Sequence, residues 1–171
     1  MATTAHTNPP HLNNDKYSSF DVSKEGRNYG IILGVITAVY MIIINLFTGD
    51  GPGEAGNIPL GLRFAKHLLI FPVLWIAMSR YAKSLPDGRT FKNEISLLGR
   101  VAMWSALTIA LANLLVFAFT GNSFEQFMQE GTTFMAVCIN SGFLFFETIV
   151  FIMTVGFVFL QALKGGGSPE D

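Results

Sequence analysis

Hydrophobic residues are gathered into four long runs separated by short polar stretches. The last run, Phe134 to Leu163, is thirty mostly apolar residues interrupted by one carboxylate, Glu147, near its middle. At about 1.5 Å of rise per residue it extends roughly 45 Å, comparable to a bilayer with its headgroups. Residues 29–47 form a first span without a charge, and residues 59–81 a second, in which Arg63, Lys66 and His67 precede a fully apolar Leu68 to Met78 and Pro72 predicts a bend. Residues 95–120 form a third, broken only by Arg100. The pattern predicts an all-α fold, an integral membrane bundle of four transmembrane helices running up and down, with the fourth at 134–163.

The polar stretches read as arms and connectors. Residues 1–28 form an arm, disordered to about Ser19, with a short interfacial helix over Phe20 to Asn28; residues 165–171 form a disordered tail. The transmembrane domain is 29–164. Gly49 to Asn57 is a glycine-rich loop without the strand or G-K-[ST] element of a phosphate cradle. Pro86-Asp87-Gly88 is a turn, and Phe124, Phe127 and Met128 beside Glu125 and Glu130 predict a short helix on the membrane surface.

Composition supports the membrane reading. Half of the 171 residues are hydrophobic, mean hydropathy is +0.44 and 13% are charged, about half the roughly 25% of a soluble domain. The distribution of basic residues is more informative than the net charge of −1. Lys16, Lys24, Arg27, Arg80, Lys83, Arg89, Lys92, Arg100 and Lys164 fall on one side of the four-span topology, and Arg63 and Lys66 on the other, so both termini are expected in the cytoplasm. Arg63 and Lys66 are expected to reach headgroups, with His67 preferably an interfacial residue and alternatively a proton acceptor. A single cysteine, Cys138, excludes an intrachain disulfide and is expected to be buried.

Glu147 is the residue that most needs an explanation. A carboxylate near the hydrocarbon midplane is costly unless neutralised, paired or turned inward. Thr133, Asn140, Glu147, Thr154 and Gln161 recur every seven residues and make one slowly drifting polar stripe, with Phe145, Ile149 and Ile152 opposite it suited to lipid. A packing seam of interhelical hydrogen bonds is the preferred reading, and a proton or ligand relay the alternative. A hairpin of spans three and four centred near residue 127 brings Asn113 level with Asn140, Ser105 and Thr108 near Glu147, and Arg100 opposite Thr154. Arg100 and Glu147 then lie about 10 Å apart along the axis, at the limit of an ion pair. Thr37 and Tyr40 are depth-matched to bond Glu147. Gly30, Gly34 and Ala38 recur every four residues, a small-residue face for close helix packing.

The segments YGIILGVI, LPDGRTFKNEI and SFEQFMQEG, in this arrangement, resemble the bacterial four-helix membrane family known as domain of unknown function 4199. The resemblance covers about Tyr29 to Lys164. It implies a bacterial inner-membrane protein and transfers no catalytic, cofactor-binding or metal residue. The expected function is non-enzymatic, an accessory or assembly subunit that meets the lipid bilayer and either a membrane-protein partner or further copies of itself. The alternative is a small oligomeric proton- or cation-coupled transporter or channel using Glu147, with Asn140, Thr154 and Asn113 along the route. The spans contain no Ser/His, Cys/His or metal-ligand set for an enzyme, no cofactor is implied, and no aromatic-basic surface predicts nucleic-acid binding.

Overall fold

The structure, a computed structural model, describes residues 20–47, 60–84, 91–124 and 133–165. The arm before Phe20, the glycine-rich loop, the Pro86-Asp87-Gly88 turn, the surface helix beyond Phe124 and the tail after Gly165 lie outside the described residues. Those described are helical apart from short flanking segments: α1 (Val22–Phe47), α2 (Leu60–Ala65), a 3₁₀ turn (Lys66–Leu69), α3 (Ile70–Ser84), α4 (Phe91–Thr120) and α5 (Phe134–Gly165). Three of these helices, α1, α4 and α5, are individually long and apolar enough to cross a membrane. Helix suits such sequences because it satisfies the backbone internally where lipid offers no hydrogen bonds.

The interfacial helix expected over Phe20 to Asn28 is not separate, since α1 runs unbroken from Val22. Asp21 starts it: its carboxylate accepts the backbone N–H groups of Ser23 and Lys24 at 2.8 and 3.2 Å, the N-cap arrangement. Those bonds, Lys24's first, hold the Asp21 carboxyl below its ordinary range. The cap therefore acts fully at neutral pH and is lost as acidification passes the folded-state value. At the far end of α4, Gly121 adopts φ +74 and its N–H reaches the Phe117 carbonyl at 2.8 Å, closing the helix.

Helix α4 is flanked by α1 and α5, and the α2–α3 segment closes the ring by packing against α1 and α5. Helices α1 and α4 run parallel, because Gly26, Gly30 and Gly34 meet Arg100, Trp104 and Thr108 in step. A methyl group at Gly30 would lie 2.7 Å from Trp104 Cβ, and one at Gly34 2.5 Å from Thr108 Cβ. The backbones therefore meet through a ridge of hydrogens, with buried Ala38 one turn further on. Helices α4 and α5 run antiparallel: Asn113 meets Ser141 and Leu98 meets Gly156, both pairs symmetric about residue 127.

The interior is layered. Tyr29, Leu33, Leu74, Met78, Leu98 and Ile152 belong to one large apolar core toward the start of α1. Met41, Ile109, Phe124 and Leu144 make a smaller one toward its end. Phe124 is thus a plug in the bundle and not part of a surface helix, because Asn113 Oδ1 accepts its N–H at 3.0 Å and Asn45 Nδ2 donates to its carbonyl at 2.7 Å. Ile152 is buried and does not face lipid, while Phe145 and Ile149 are half-buried; Phe146 and Val150 take the outward face. Cys138 is exposed, against expectation, because Val137 and Ser141 occupy the inward positions.

The second segment departs from α-helical geometry just ahead of Pro72. Proline lacks the N–H that would bond to the residue-68 carbonyl and its ring crowds that carbonyl, so the helix tightens over Lys66–Leu69, with Ile70 N–H bonded to the His67 carbonyl.

Gly34→Ala is expected to destabilise the bundle by about 1–3 kcal/mol through overpacking against Thr108. Gly99→Ala, with open space around it, should be neutral or stabilise by up to about 1 kcal/mol. Unfolding of the two purified variants by a denaturing detergent in bicelles checks the contrast.

Candidate functional site

Between the two apolar cores lies a polar layer built from all four parts of the bundle. The 3₁₀ turn supplies Lys66 and His67, both buried, and α5 supplies Glu147. Lys66 Nζ donates to Glu147 Oε2 at 2.9 Å, with side-chain exposures of 6% and 20%, so the pair is largely shielded from its surroundings. His67 Nε2 lies 3.3 Å from Glu147 Oε1, and its Nδ1 lies 3.1 Å from the Phe64 carbonyl. The imidazole stacks on Phe151, ring centroids 3.7 Å apart, with Phe64 at 5.8 Å. Because Phe151 follows Glu147 by one turn, α5 offers His67 an acceptor and a ring face together.

A small cavity of about 10 Å³ adjoins this cluster, lined by Thr37, Lys66, His67, Ser105 and Thr148 together with apolar neighbours. That is about the room one water molecule needs. The fully buried Ser105 hydroxyl has no hydrogen-bond partner among the described residues, which suits a water there.

The residues singled out in the sequence separate into different places. Arg100 does not pair with Glu147: it is exposed, and its Nη1 donates to Ser23 Oγ at 2.8 Å. Packing against Gly26 directs it along α1. Asn113 is buried, donating to Ser141 Oγ and accepting from Ser123 Oγ, so it anchors the end of α4. Asn140 is buried too, whereas Thr154 is exposed and donates to its own helix at the Val150 carbonyl. Gln161 is also exposed, since a seven-residue spacing drifts round a straight helix by about 20° each time. Tyr40 donates to the Leu62 carbonyl at 2.9 Å and Thr37 lines the cavity. Gly30, Gly34 and Ala38 lie on the buried α1 face, and Gly26 extends the row.

Lys66, expected at the headgroups, and His67, expected at the interface or as a proton acceptor, turn inward and are the partners that matter most. The signal for them is arithmetic. Leu68 to Met78 alone covers about 16 Å, half the roughly 30 Å of a hydrocarbon core, so a crossing by this segment must take Lys66 and His67 into the membrane. Among the described residues there is no group of three or more His, Cys, Asp or Glu side chains placed to hold a metal ion. The chemistry on offer is ion pairing and proton exchange. No protein-family model, curated protein or solved structure matches the chain.

Lys66→Met should destabilise the protein by about 3–5 kcal/mol, because it strands the Glu147 carboxylate. The double variant Lys66→Met, Glu147→Gln should recover a measurable part of that loss. A double-mutant cycle read by detergent-induced unfolding measures it.

Proposed function

We propose that this chain is a non-enzymatic, multi-pass protein of the bacterial inner membrane, a four-crossing bundle with both termini cytoplasmic, acting as an accessory or assembly subunit. The observation that carries this reading is the inward turn of Lys66 and His67 onto Glu147. It lets the α2–α3 segment cross as a fourth span with its charge neutralised inside the bundle, beside the three helices apolar enough to cross alone. The basic residues still favour the cytoplasmic placement of both ends, since Lys66 no longer counts toward the opposite face.

The interior supports a structural role over a transport one. The cavity beside the cluster has room for about one water, and Asn113, Asn140 and Thr154 are not among the residues that line it. Exposed Thr154 and Gln161 leave polar positions on the outer face of α5 for a helix of a partner or a second copy. The resemblance to the four-helix family supplies no activity to transfer.

Topology and stoichiometry test the proposal. In a Cys138→Ser background, cysteines placed in the first arm and the tail should be protected from an impermeant thiol reagent in intact cells, and one at Asn57 should be labelled. Termini on opposite faces, as three crossings require, would overturn the four-span reading. Native mass measurement of the extracted protein should show a stoichiometric partner protein; homo-oligomers alone would favour the conduit through Glu147.

A further inference from the structure

We infer that His67 and Glu147 form a proton-binding site at the centre of the bundle, holding one exchangeable proton between Nε2 and Oε1. Both imidazole nitrogens lie against oxygen acceptors, Phe64 O at 3.1 Å and Glu147 Oε1 at 3.3 Å. A neutral imidazole has one N–H and one lone pair, so it satisfies only one of these contacts and sets a lone pair against oxygen at the other. Adding one proton to the pair removes the conflict. Either the ring becomes an imidazolium that donates to both oxygens, or Glu147 becomes a carboxylic acid that donates to Nε2 while Nδ1–H donates to Phe64.

The surroundings favour holding that proton without making it permanent. Phe151 stacks on the imidazole and Phe64 lies at 5.8 Å, within the range over which an aromatic face attracts a cation. Against this, Lys66 lies 2.9 Å from the same carboxylate, so a proton added to the pair enters beside an existing positive charge. Each state gains where the other loses. Among the described residues, α1 faces the cluster with Thr37 and α4 with Ser105, neither of which titrates in this range. Tyr40 is given to the Leu62 carbonyl and Arg100 to Ser23. Lys66 is therefore the other described charge on the pair.

The path and the consequence are local. On release the proton passes to water in the adjoining cavity, which His67, Lys66 and the unpartnered Ser105 hydroxyl line. The neutral ring must then leave either Phe64 or Glu147. Because His67 belongs to the tightened turn ahead of Pro72, and its own carbonyl holds Ile70 N–H, proton release acts on the least regular part of the second segment.

The experiment uses the full chain with His6→Ala and His11→Ala, labelled with ¹⁵N-histidine and ¹³C-glutamate and reconstituted in lipid nanodiscs. Ring-nitrogen and carboxyl shifts are followed across the pH range in which the protein stays folded. The expected result is one proton bound per chain at the pair in the loaded form, with His67 changing its nitrogen signature when that proton leaves. Glu147→Gln should give a neutral ring with the proton on Nδ1, because the glutamine amide then donates to Nε2, and should abolish the transition. If that variant does not fold, His67→Phe keeps the stack on Phe151 and should leave the Glu147 carboxyl signal flat over the same range. A neutral ring beside an ionised carboxylate at every pH would overturn the site, as would a transition unchanged in either variant. These shifts are read independently of the topology and mass tests, so failure of the accessory-subunit reading would leave them standing.

Discussion

A buried charge has to find its opposite within the protein, and Lys66 and Glu147 meet that demand in each other. The separation of 2.9 Å joins the first third of the second segment to the middle of the last helix. Everything nearby follows from bringing those two groups together. The turn before Pro72 tightens, which places Lys66 and His67 in the interior, and Phe151 closes over the imidazole. Ser105 and Thr148 supply hydroxyls where an all-apolar core would leave the cluster dry. Net stabilisation by a buried ion pair is modest when compared with a well-packed apolar substitute. What the pair supplies is register, because a slip of one turn would part the Lys66 and Glu147 charges.

The bundle divides its work between two kinds of contact. Helices α1 and α4 are held by close backbone approach along Gly26, Gly30 and Gly34, with the Arg100–Ser23 hydrogen bond at one end of the ridge. The second segment and α5 are held by charge and by aromatic edges, with Phe71 and Trp75 both set against Phe159. Dispersion along the glycine ridge is indifferent to protonation, whereas the ion cluster is not. Inside the bundle, a response to pH therefore belongs to the second segment and its contacts, apart from the Asp21 cap at the start of α1.

Much of this arrangement was legible in the sequence. The apolar runs located α1, α4 and α5, and the four-residue recurrence of Gly30, Gly34 and Ala38 marked the face that meets α4. The hairpin centred near residue 127 agrees with the Asn113–Ser141 and Leu98–Gly156 contacts. The partner of Glu147 was not legible by the same route. Arg100 shares the hairpin with Glu147, but pairing across a bundle depends on which helices become neighbours, and periodicity carries no such information. The heptad stripe misled in a related way: Asn140 is buried, while Thr154 and Gln161 have rotated outward. A straight helix cannot keep a seven-residue repeat on one face over its full length.

The ion pair joins residues 81 positions apart, and ribosomes extend a chain by about 5–20 residues per second. Lys66 thus leaves the peptidyl-transferase centre roughly 4–16 s before Glu147 is even polymerised. Throughout that interval Lys66 has no counter-charge from α5, so the contact that ties the second segment to the last helix is completed only once the final helix has been made.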